Sequence, residues 1–297
     1  RDTDRSRGLG DVYKRQKDYF VNRYQDYTSL HMNVSEHLTG EEEIVIGSID
    51  VCMTTRCNLR CKGCGSLMPM YSHPEDIDIE LIIHSLERFF SVVDRVFRVN
   101  VIGGEPFLYP HMDQVIEFLN SRNEVVWVVI PTNGTAAPDN PRLYKALRNP
   151  KNHVRISHYE AFEKKSGILL SRLVEEGIDH SIKSFGKNTY LWYDFGDYAL
   201  RNRSPEELAK QYDNCEVEWM SLFKGRLYPC PRAAHSIDLG LQPDEGNSIS
   251  ISDDNMTLDQ LRNELIQFVY ERSYYPSCNR CNRGTDLCPV IPVADQL

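Results

Sequence analysis

The sequence predicts an α/β fold built around a parallel sheet that is either open or curled toward a barrel. Three observations predict it. Segments rich in β-branched residues alternate with segments of helical periodicity, the connecting loops are short, and one strand plus one helix takes about 25 residues. Small, polar and cysteine residues cluster where the strands end, which is the edge at which such folds place their sites.

Runs of β-branched and apolar residues predict the strands. The first run reads IVIGSIDVCM, and the second alternates polar and apolar residues before it ends at Gly103-Gly104. The third run stops at Pro131-Thr132-Asn133-Gly134. In chain order the predicted strands are 44–53, 96–102, 124–130, 154–157 and 178–184, and 216–223 is strand-like.

Apolar residues at helical spacing, together with capping residues, predict the helices. Pro141 fits the first turn of one helix, and Gly177 closes another. Capping sequences begin at Ser204 and Thr257. The predicted helices are 78–93, 111–120, one beginning at Pro141, 166–176, one after Ser204 and one after Thr257. Two stretches are predicted to be irregular, the aromatic 188–198 and the loop-like 239–254.

Length and charge exclude several function classes. The 297 residues suffice for one large domain or a main domain with a small one. With 34 Lys+Arg against 43 Asp+Glu the formal charge is −9, so we expect no nucleic-acid binding and no membrane binding. No apolar run approaches the ~18 residues of a spanning helix. Residues 1–16 resemble translated sequencing-adapter sequence or form a disordered basic arm, and the fold prediction omits them.

Nine cysteines exceed ordinary usage but fall far below a disulfide scaffold. Their odd number, tight spacing and the expected lack of a signal peptide favour metal or cluster ligation in a reducing cytoplasm. Cys57, Cys61 and Cys64 form C-x3-C-x2-C directly after the first strand. An iron–sulfur cube normally takes four cysteines, one per iron, so three local thiolates leave one iron open for catalysis.

Two other uses of these cysteines stay open at this point. A zinc site would need a fourth ligand, for which the candidates are Cys52, His73 or the pair Cys278 and Cys281. A redox C-x-x-C at the second and third cysteines would leave Cys57 unexplained.

The motif and its placement resemble the radical S-adenosylmethionine (AdoMet) enzymes, whose C-x3-C-x2-C signature follows the first strand of a partial (β/α)6 barrel. Gly103-Gly104-Glu105-Pro106, at the end of the second strand, matches that family's AdoMet-contacting motif. The resemblance covers roughly 44–184. It implies a TIM-like partial (β/α)6 barrel with a small cysteine-rich C-terminal extension, and a [4Fe-4S] cluster on Cys57, Cys61 and Cys64.

The resemblance also implies a set of AdoMet contacts at the strand ends. The Glu105 carboxylate would pair with the methionine ammonium. Family members often carry an aromatic residue before the third cysteine, but here that residue is Gly63, so other groups, such as the backbone around it, must hold the adenine. The expected AdoMet contacts are Gly103, Gly104, Glu105, Thr132, Asn133 and Ser157.

Four later cysteines resemble the ligand set of the family's C-terminal Twitch extension, a shorter form of the SPASM domain. Such a set would complete a second, auxiliary [4Fe-4S] cluster, and the alternative is a structural zinc site with four thiolates. Cys288 would be a spare or swapped ligand, and a buried apolar thiol is favoured for Cys52. The implied auxiliary ligands are Cys215, Cys230, Cys278 and Cys281.

The resemblance implies cleavage of AdoMet to a 5′-deoxyadenosyl radical that takes a hydrogen atom from a small, carbohydrate-like substrate. The candidate catalytic residues are His158 and Tyr159, which follow Ser157 at a strand end. A flavodoxin- or ferredoxin-type protein is the expected electron donor. The alternatives are a SPASM-type enzyme that modifies peptides and a zinc-binding protein without enzymatic activity.

The expected domain organisation follows from the same resemblance. The adapter-like 1–16 and a lead-in, 17–43, precede a partial barrel at 44–203. The last barrel elements and the auxiliary-cluster domain occupy 204–297.

Overall fold

An eight-stranded sheet lies at the centre of the structure, a computed structural model that describes residues 44–186, 189–215, 217 and 219–297. The predicted segments 1–16 and 17–43 lie outside the described residues. In chain order the strands are β1 Val45–Cys52, β2 Arg95–Ile102, β3 Val125–Thr132, β4 Asn152–Tyr159, β5 His180–Phe185, β6 Tyr190–Tyr193, β7 Met220–Phe223, β8 Arg226–Tyr228, β9 Ile249–Ser250 and β10 Val290–Pro292.

Six strands of the sheet are parallel. The order across it is β5-β4-β3-β2-β1-β7-β8-β9, and only β8 and β9 are antiparallel to their neighbours. The short strands β6 and β10 pair with each other instead. Among the described residues the sheet ends at β5 on one side and at β9 on the other, so these strands do not close into a ring.

Within the described residues, seven α-helices lie between and after these strands. They are α1 Ile79–Phe90, α2 Met112–Ser121, α3 Pro141–Leu147, α4 Glu163–Glu175, α5 Pro205–Asp213, α6 Pro231–Asp238 and α7 Leu258–Tyr270. The predicted caps are present: Pro141 opens α3, Gly177 has a φ of 64° after α4, and both Ser204 and Thr257 form capping boxes. Among the described residues, no helix is long and apolar enough to cross a membrane.

One continuous apolar core supports the sheet. β1 is buried along its whole length, α1 contributes the fully buried Leu86 and Phe89, and α7 contributes Leu261 and Leu265. Side chains from both the predicted barrel and the predicted extension belong to this core. The two regions therefore pack as one body in space, while the division at residue 203 stays a prediction.

The predicted fold class is confirmed, and the differences from it follow from how the strands pair. β3 continues through Pro131 to Thr132; β2 pairs with β3 only as far as Val129, so at Pro131 a single neighbouring strand remains. The strand-like 216–223 contains β7, the sixth parallel strand, which lies beside β1. Short strands also occur inside the two stretches predicted to be irregular, since each finds a partner distant in sequence.

Candidate active site

The loop after β1 carries the first three cysteines, and the end of β2 packs directly against it. The backbone N–H of Gly104 donates to the Thr54 carbonyl at 2.8 Å, and that of Glu105 donates to the Arg56 carbonyl at 2.9 Å. These two bonds extend the β1–β2 pairing past the ends of both strands. They fix the start of the cysteine loop at the carboxyl edge of the sheet.

Two glycines permit this close approach. A Cβ on Gly103 would lie 2.7 Å from the Thr54 carbonyl oxygen. A Cβ on Gly104 would collide with the Arg56 carbonyl and lie 2.7 Å from the Cys57 Cβ. Since real Cβ atoms do not approach so closely, only glycine fits at either position.

The three thiols line a cavity of about 500 Å³ at this edge. The Leu59 N–H donates to the Cys57 sulfur at 3.4 Å, and the Gln296 amide donates to the Cys61 sulfur at 3.1 Å. Burial raises the pKa of Cys57 to about 12 and that of Cys61 to about 11. A thiolate is therefore disfavoured here unless positive charge, such as that of iron, accompanies it.

The spacing of the cysteine sulfurs bears on the kind of metal centre. Within the described residues, no three His, Cys, Asp or Glu side chains converge tightly enough to hold a single metal ion. A four-iron cluster takes one cysteine per iron, so its ligands need not surround one point. Sulfurs that face a shared cavity and accept N–H hydrogen bonds fit such a cluster.

The Glu105 carboxylate is buried and ties the ends of β2 and β3 together. Its Oε1 accepts hydrogen bonds from the Thr132 hydroxyl at 2.6 Å and the Phe107 N–H at 3.2 Å, and its Oε2 accepts from the Asn133 N–H at 2.8 Å. Burial raises the pKa of Glu105 to about 7. Because a carboxylate offers about four acceptor positions, one remains for a ligand group.

Of the three predicted site residues on β4, two line the cavity and one does not. Ser157 and Tyr159 line the cavity, whereas His158, between them, is not among the lining residues. Successive side chains of a strand point to opposite faces, which accounts for the split. Tyr159 stacks on Phe185 with ring centroids 5.6 Å apart and meets Trp192 edge-on at 6.4 Å.

The second set of cysteines surrounds a smaller cavity of about 50 Å³. Cys230 is the N-cap residue of α6, and its sulfur accepts the Ala233 N–H at 3.4 Å. The Cys281 sulfur accepts the Arg283 N–H, also at 3.4 Å. The four thiols around this cavity are those of Cys215, Cys230, Cys278 and Cys281. All of them except Cys278 also line the large cavity, so both sets open onto one space.

A buried side chain of α5 holds the last cysteine pair in place. The Gln211 amide donates to the carbonyls of Cys278 at 3.1 Å and Cys281 at 2.9 Å. Sequence reasoning missed this residue, since a lone glutamine on a helix gives no signal. The remaining two cysteines line neither cavity: Cys52 is 2% exposed, and the Cys288 thiol donates to the Asp194 carbonyl at 3.4 Å.

Comparison with known proteins agrees with this geometry. Residues 51–179 match the Radical SAM superfamily. This chain carries a radical SAM domain. Members of that superfamily are enzymes that use a [4Fe-4S] cluster and AdoMet. The family expected from the cysteine spacing is confirmed.

One protein of similar sequence and one of similar structure show how much of this chain has known relatives. GTP 3',8-cyclase of Helicobacter pylori (strain ATCC 700392 / 26695) is 30% identical over 92 residues, which span 30% of this chain and 28% of that protein. The crystal structure of BtrN in complex with AdoMet and 2-DOIA has a TM-score of 0.50 and 14% identity, covering 85% of this chain and 98% of BtrN. The likeness to BtrN supports the fold of the radical SAM domain.

Next to the third cysteine of the radical SAM domain, Gly63 makes room for apolar groups from elsewhere in the chain. A Cβ there would collide with the Ile291 side chain on β10 and lie 3.5 Å from the Trp192 ring on β6. The two-stranded sheet therefore covers the position where family members often carry an aromatic side chain. Trp192 also lines the cavity, so an aromatic ring is present nearby after all.

A buried polar group inside the radical SAM domain was not predicted. The Asn100 amide donates to the Asp50 carboxylate at 2.7 Å and to the Ser48 hydroxyl at 3.2 Å, and Arg98 also donates to that hydroxyl at 3.0 Å. Asp50, Arg98, Asn100 and Arg155 line the large cavity. The available signal was polar residues at alternate positions of otherwise apolar strands.

We expect Gly104→Ala to disturb the first cysteine set while leaving the fold intact. The added methyl group must displace the Arg56 carbonyl and Cys57, so AdoMet binding should weaken at least roughly tenfold, or about 1.4 kcal/mol. Isothermal titration calorimetry of the reconstituted protein measures the affinity for AdoMet. Gly167→Ala is the matched control, because nothing lies within 4 Å of a Cβ there. Equal affinity in both variants would contradict the packing argument.

We expect the free energy of unfolding to depend on pH through the ionisation of the Asp50 carboxyl group. Burial raises its pKa to about 7, against the opposing influence of Asn100, Arg98 and Arg155. Between about pH 4 and pH 7 the folded state therefore holds a proton that the unfolded chain has lost, so this contribution to stability falls as pH rises. The substitution Asp50→Asn removes this pH-dependent contribution to stability.

Anaerobic urea unfolding from pH 5.5 to 7.5 tests the Asp50 prediction. The free energy of unfolding of Asp50→Asn should rise relative to wild type by at most about 1.4 kcal/mol per pH unit. Asp286→Asn, at an exposed position, is the control. Parallel pH profiles of wild type and Asp50→Asn would show that the carboxyl group does not titrate in this range.

Proposed function

We propose that this enzyme reductively cleaves AdoMet at a [4Fe-4S] cluster held by Cys57, Cys61 and Cys64. A second, auxiliary [4Fe-4S] cluster would be held by Cys215, Cys230, Cys278 and Cys281. Together, the first cluster and AdoMet supply a 5′-deoxyadenosyl radical, which takes a hydrogen atom from a small polar substrate. The observation that carries the proposal is the single cavity of about 500 Å³ onto which both cysteine sets open.

The residues at the strand ends would bind AdoMet beside the first cluster. Gly103 and Gly104 bring the backbone of β2 to the cavity wall without a side chain in between. Glu105 retains an acceptor position for the methionine ammonium, and its three donors hold it in place. Thr132 and Asn133 are fixed by those same hydrogen bonds, and Ser157 lines the same cavity.

The surroundings of the second cysteine set support an auxiliary cluster. Arg232 and Arg283 line the same small cavity, so positive charge lies beside four potential thiolates. Arg203 donates to the Cys281 carbonyl at 2.7 Å, which adds to the support from Gln211. A cluster with four protein ligands has no open iron, so its role would be electron transfer or substrate positioning.

The polar group inside the barrel supports a small polar substrate, such as a carbohydrate-like alcohol. The Asn100 Oδ1 atom is buried and has no hydrogen-bond partner among the described residues, and the neighbouring Asp50 carboxyl accepts a hydrogen bond from the Asn100 amide. A buried acceptor without a donor is costly, and a substrate hydroxyl would supply the donor. The name of the partial relative, GTP 3',8-cyclase, also denotes a small-molecule substrate.

The proposal also includes an electron donor and a cytoplasmic location for the enzyme. Cleavage of AdoMet consumes one electron, for which a flavodoxin- or ferredoxin-type donor is proposed. None of the nine cysteines forms a disulfide, which is in keeping with the proposed location in a reducing cytoplasm.

We expect Cys57→Ala to abolish AdoMet cleavage, because it removes a ligand from the open-iron cluster. The measurement is 5′-deoxyadenosine formation after anaerobic reconstitution, together with iron and sulfide analysis. Wild type should hold about eight irons, four per cube, and the variant about four. Cys52→Ala, a buried thiol outside both sets, is the matched control. Zinc without sulfide in the wild-type protein would instead favour a structural zinc site.

We expect Cys278→Ala to show that the two clusters have different functions. AdoMet cleavage should persist, while substrate turnover is lost because the auxiliary ligand set is incomplete. Deuterium transfer from labelled candidate alcohols into 5′-deoxyadenosine measures the hydrogen abstraction step. Full turnover by this variant would overturn the auxiliary assignment, and transfer from a peptide rather than an alcohol would favour a peptide-modifying enzyme.

A further inference from the structure

The 293–297 segment pairs with the first cysteine loop. The Lys62 N–H donates to the Asp295 carbonyl at 2.7 Å, and the Leu297 N–H donates to the Arg60 carbonyl at 2.9 Å. Between these two bonds, Cys61 and Gln296 lie opposite each other as an antiparallel bridge. A segment from the far end of the described chain thus forms an extra strand-like edge on the loop.

The Gln296 side chain contacts Cys61 in a defined orientation. Its Oε1 accepts the Arg60 N–H at 2.7 Å, which only an oxygen can do. Its Nε2 must then face the Cys61 sulfur, to which it donates at 3.1 Å, and it also donates to the Ala294 carbonyl at 2.7 Å. The backbone of the loop therefore selects which end of the amide meets the sulfur.

The contact is partly buried and lies beside a small apolar cluster. Cys61 is 9% exposed and Ala294 is 8% exposed, and both pack with Leu59. The thiol also lines the large cavity. In such surroundings a hydrogen bond is electrostatically stronger than in water, so an N–H donor aimed at sulfur has a larger effect on the charge there.

We propose that Gln296 is a positioning residue that raises the reduction potential of the AdoMet-binding cluster through its hydrogen bond to Cys61. The inference rests on the proposed function, which makes Cys61 a cluster ligand. Reduction places additional negative charge on the cluster and its sulfurs, so a donor to one sulfur stabilises the reduced form more than the oxidised form. The 293–297 segment would thereby favour electron uptake from the donor protein.

Two substitutions separate this effect from simple packing. Gln296→Leu removes all three side-chain hydrogen bonds, those with the Arg60 N–H, the Cys61 sulfur and the Ala294 carbonyl, at similar volume. Gln296→Glu retains the acceptor for the Arg60 N–H but places a carboxylate oxygen beside the sulfur. Lys62→Met is the matched control, because it removes only the half-exposed ion pair with Asp295, at 2.8 Å, and leaves the backbone pairing.

The experiment is an anaerobic redox titration of the reconstituted full chain, followed by electron paramagnetic resonance with and without AdoMet. The signal that changes on adding AdoMet identifies the open-iron cluster. We expect its midpoint potential to fall in the order wild type, Gln296→Leu, Gln296→Glu, with the equilibrium constant for one-electron reduction reduced roughly fivefold in the leucine variant, or about 1 kcal/mol. Lys62→Met should titrate like wild type.

The outcomes distinguish this inference from the proposed function. Unchanged potentials in a Gln296 variant with full iron content would overturn the role of Gln296. If Gln296→Leu loses iron, its potential is not comparable and Gln296→Glu provides the test. Equal midpoint potentials in Gln296→Glu and wild type would then overturn the inference. A wild-type protein with no AdoMet-responsive signal would instead overturn the proposed function.

Discussion

The backbone bonds from Gly104 and Glu105 to the carbonyls of Thr54 and Arg56 determine where the first cysteine loop lies on the sheet. Both bonds require that nothing larger than hydrogen stand on the glycine α-carbons. With that approach established, the Glu105 carboxylate reaches the end of β3 and orders Thr132 and Asn133. One steric constraint thus aligns three successive strand ends around a cavity.

The C-terminal part of the chain closes the cavity from two directions. β7 extends the sheet past β1, so that the hairpin with β8 delivers Cys230 to the cavity wall. Gln211 then holds the Cys278 and Cys281 loop next to it. From the other side, β10 covers Gly63. The proposed auxiliary cluster and the proposed AdoMet cluster are consequently parts of one packed body rather than of two separate modules.

Much of the wall of this cavity could be predicted from the sequence, because its residues lie within short motifs at strand ends. The three cysteines, Gly103-Gly104-Glu105 and Thr132 all belong to such motifs. Residues inside the strands were harder to predict: Asp50 and Asn100 face each other only because of the β1–β2 register. Register depends on the whole sheet, so neither residue alone gave a signal.

The sequence by itself determined the spacing of the first three cysteines, the alternation of strands and helices, and the class of the fold. These properties depend on residues close together in the chain, where backbone geometry limits the arrangements. Only the tertiary structure decided that β7 lies beside β1, that His158 stays off the cavity wall, and that Gln296 meets Cys61 across 235 residues. Such contacts depend on how the whole core packs, which no local pattern specifies.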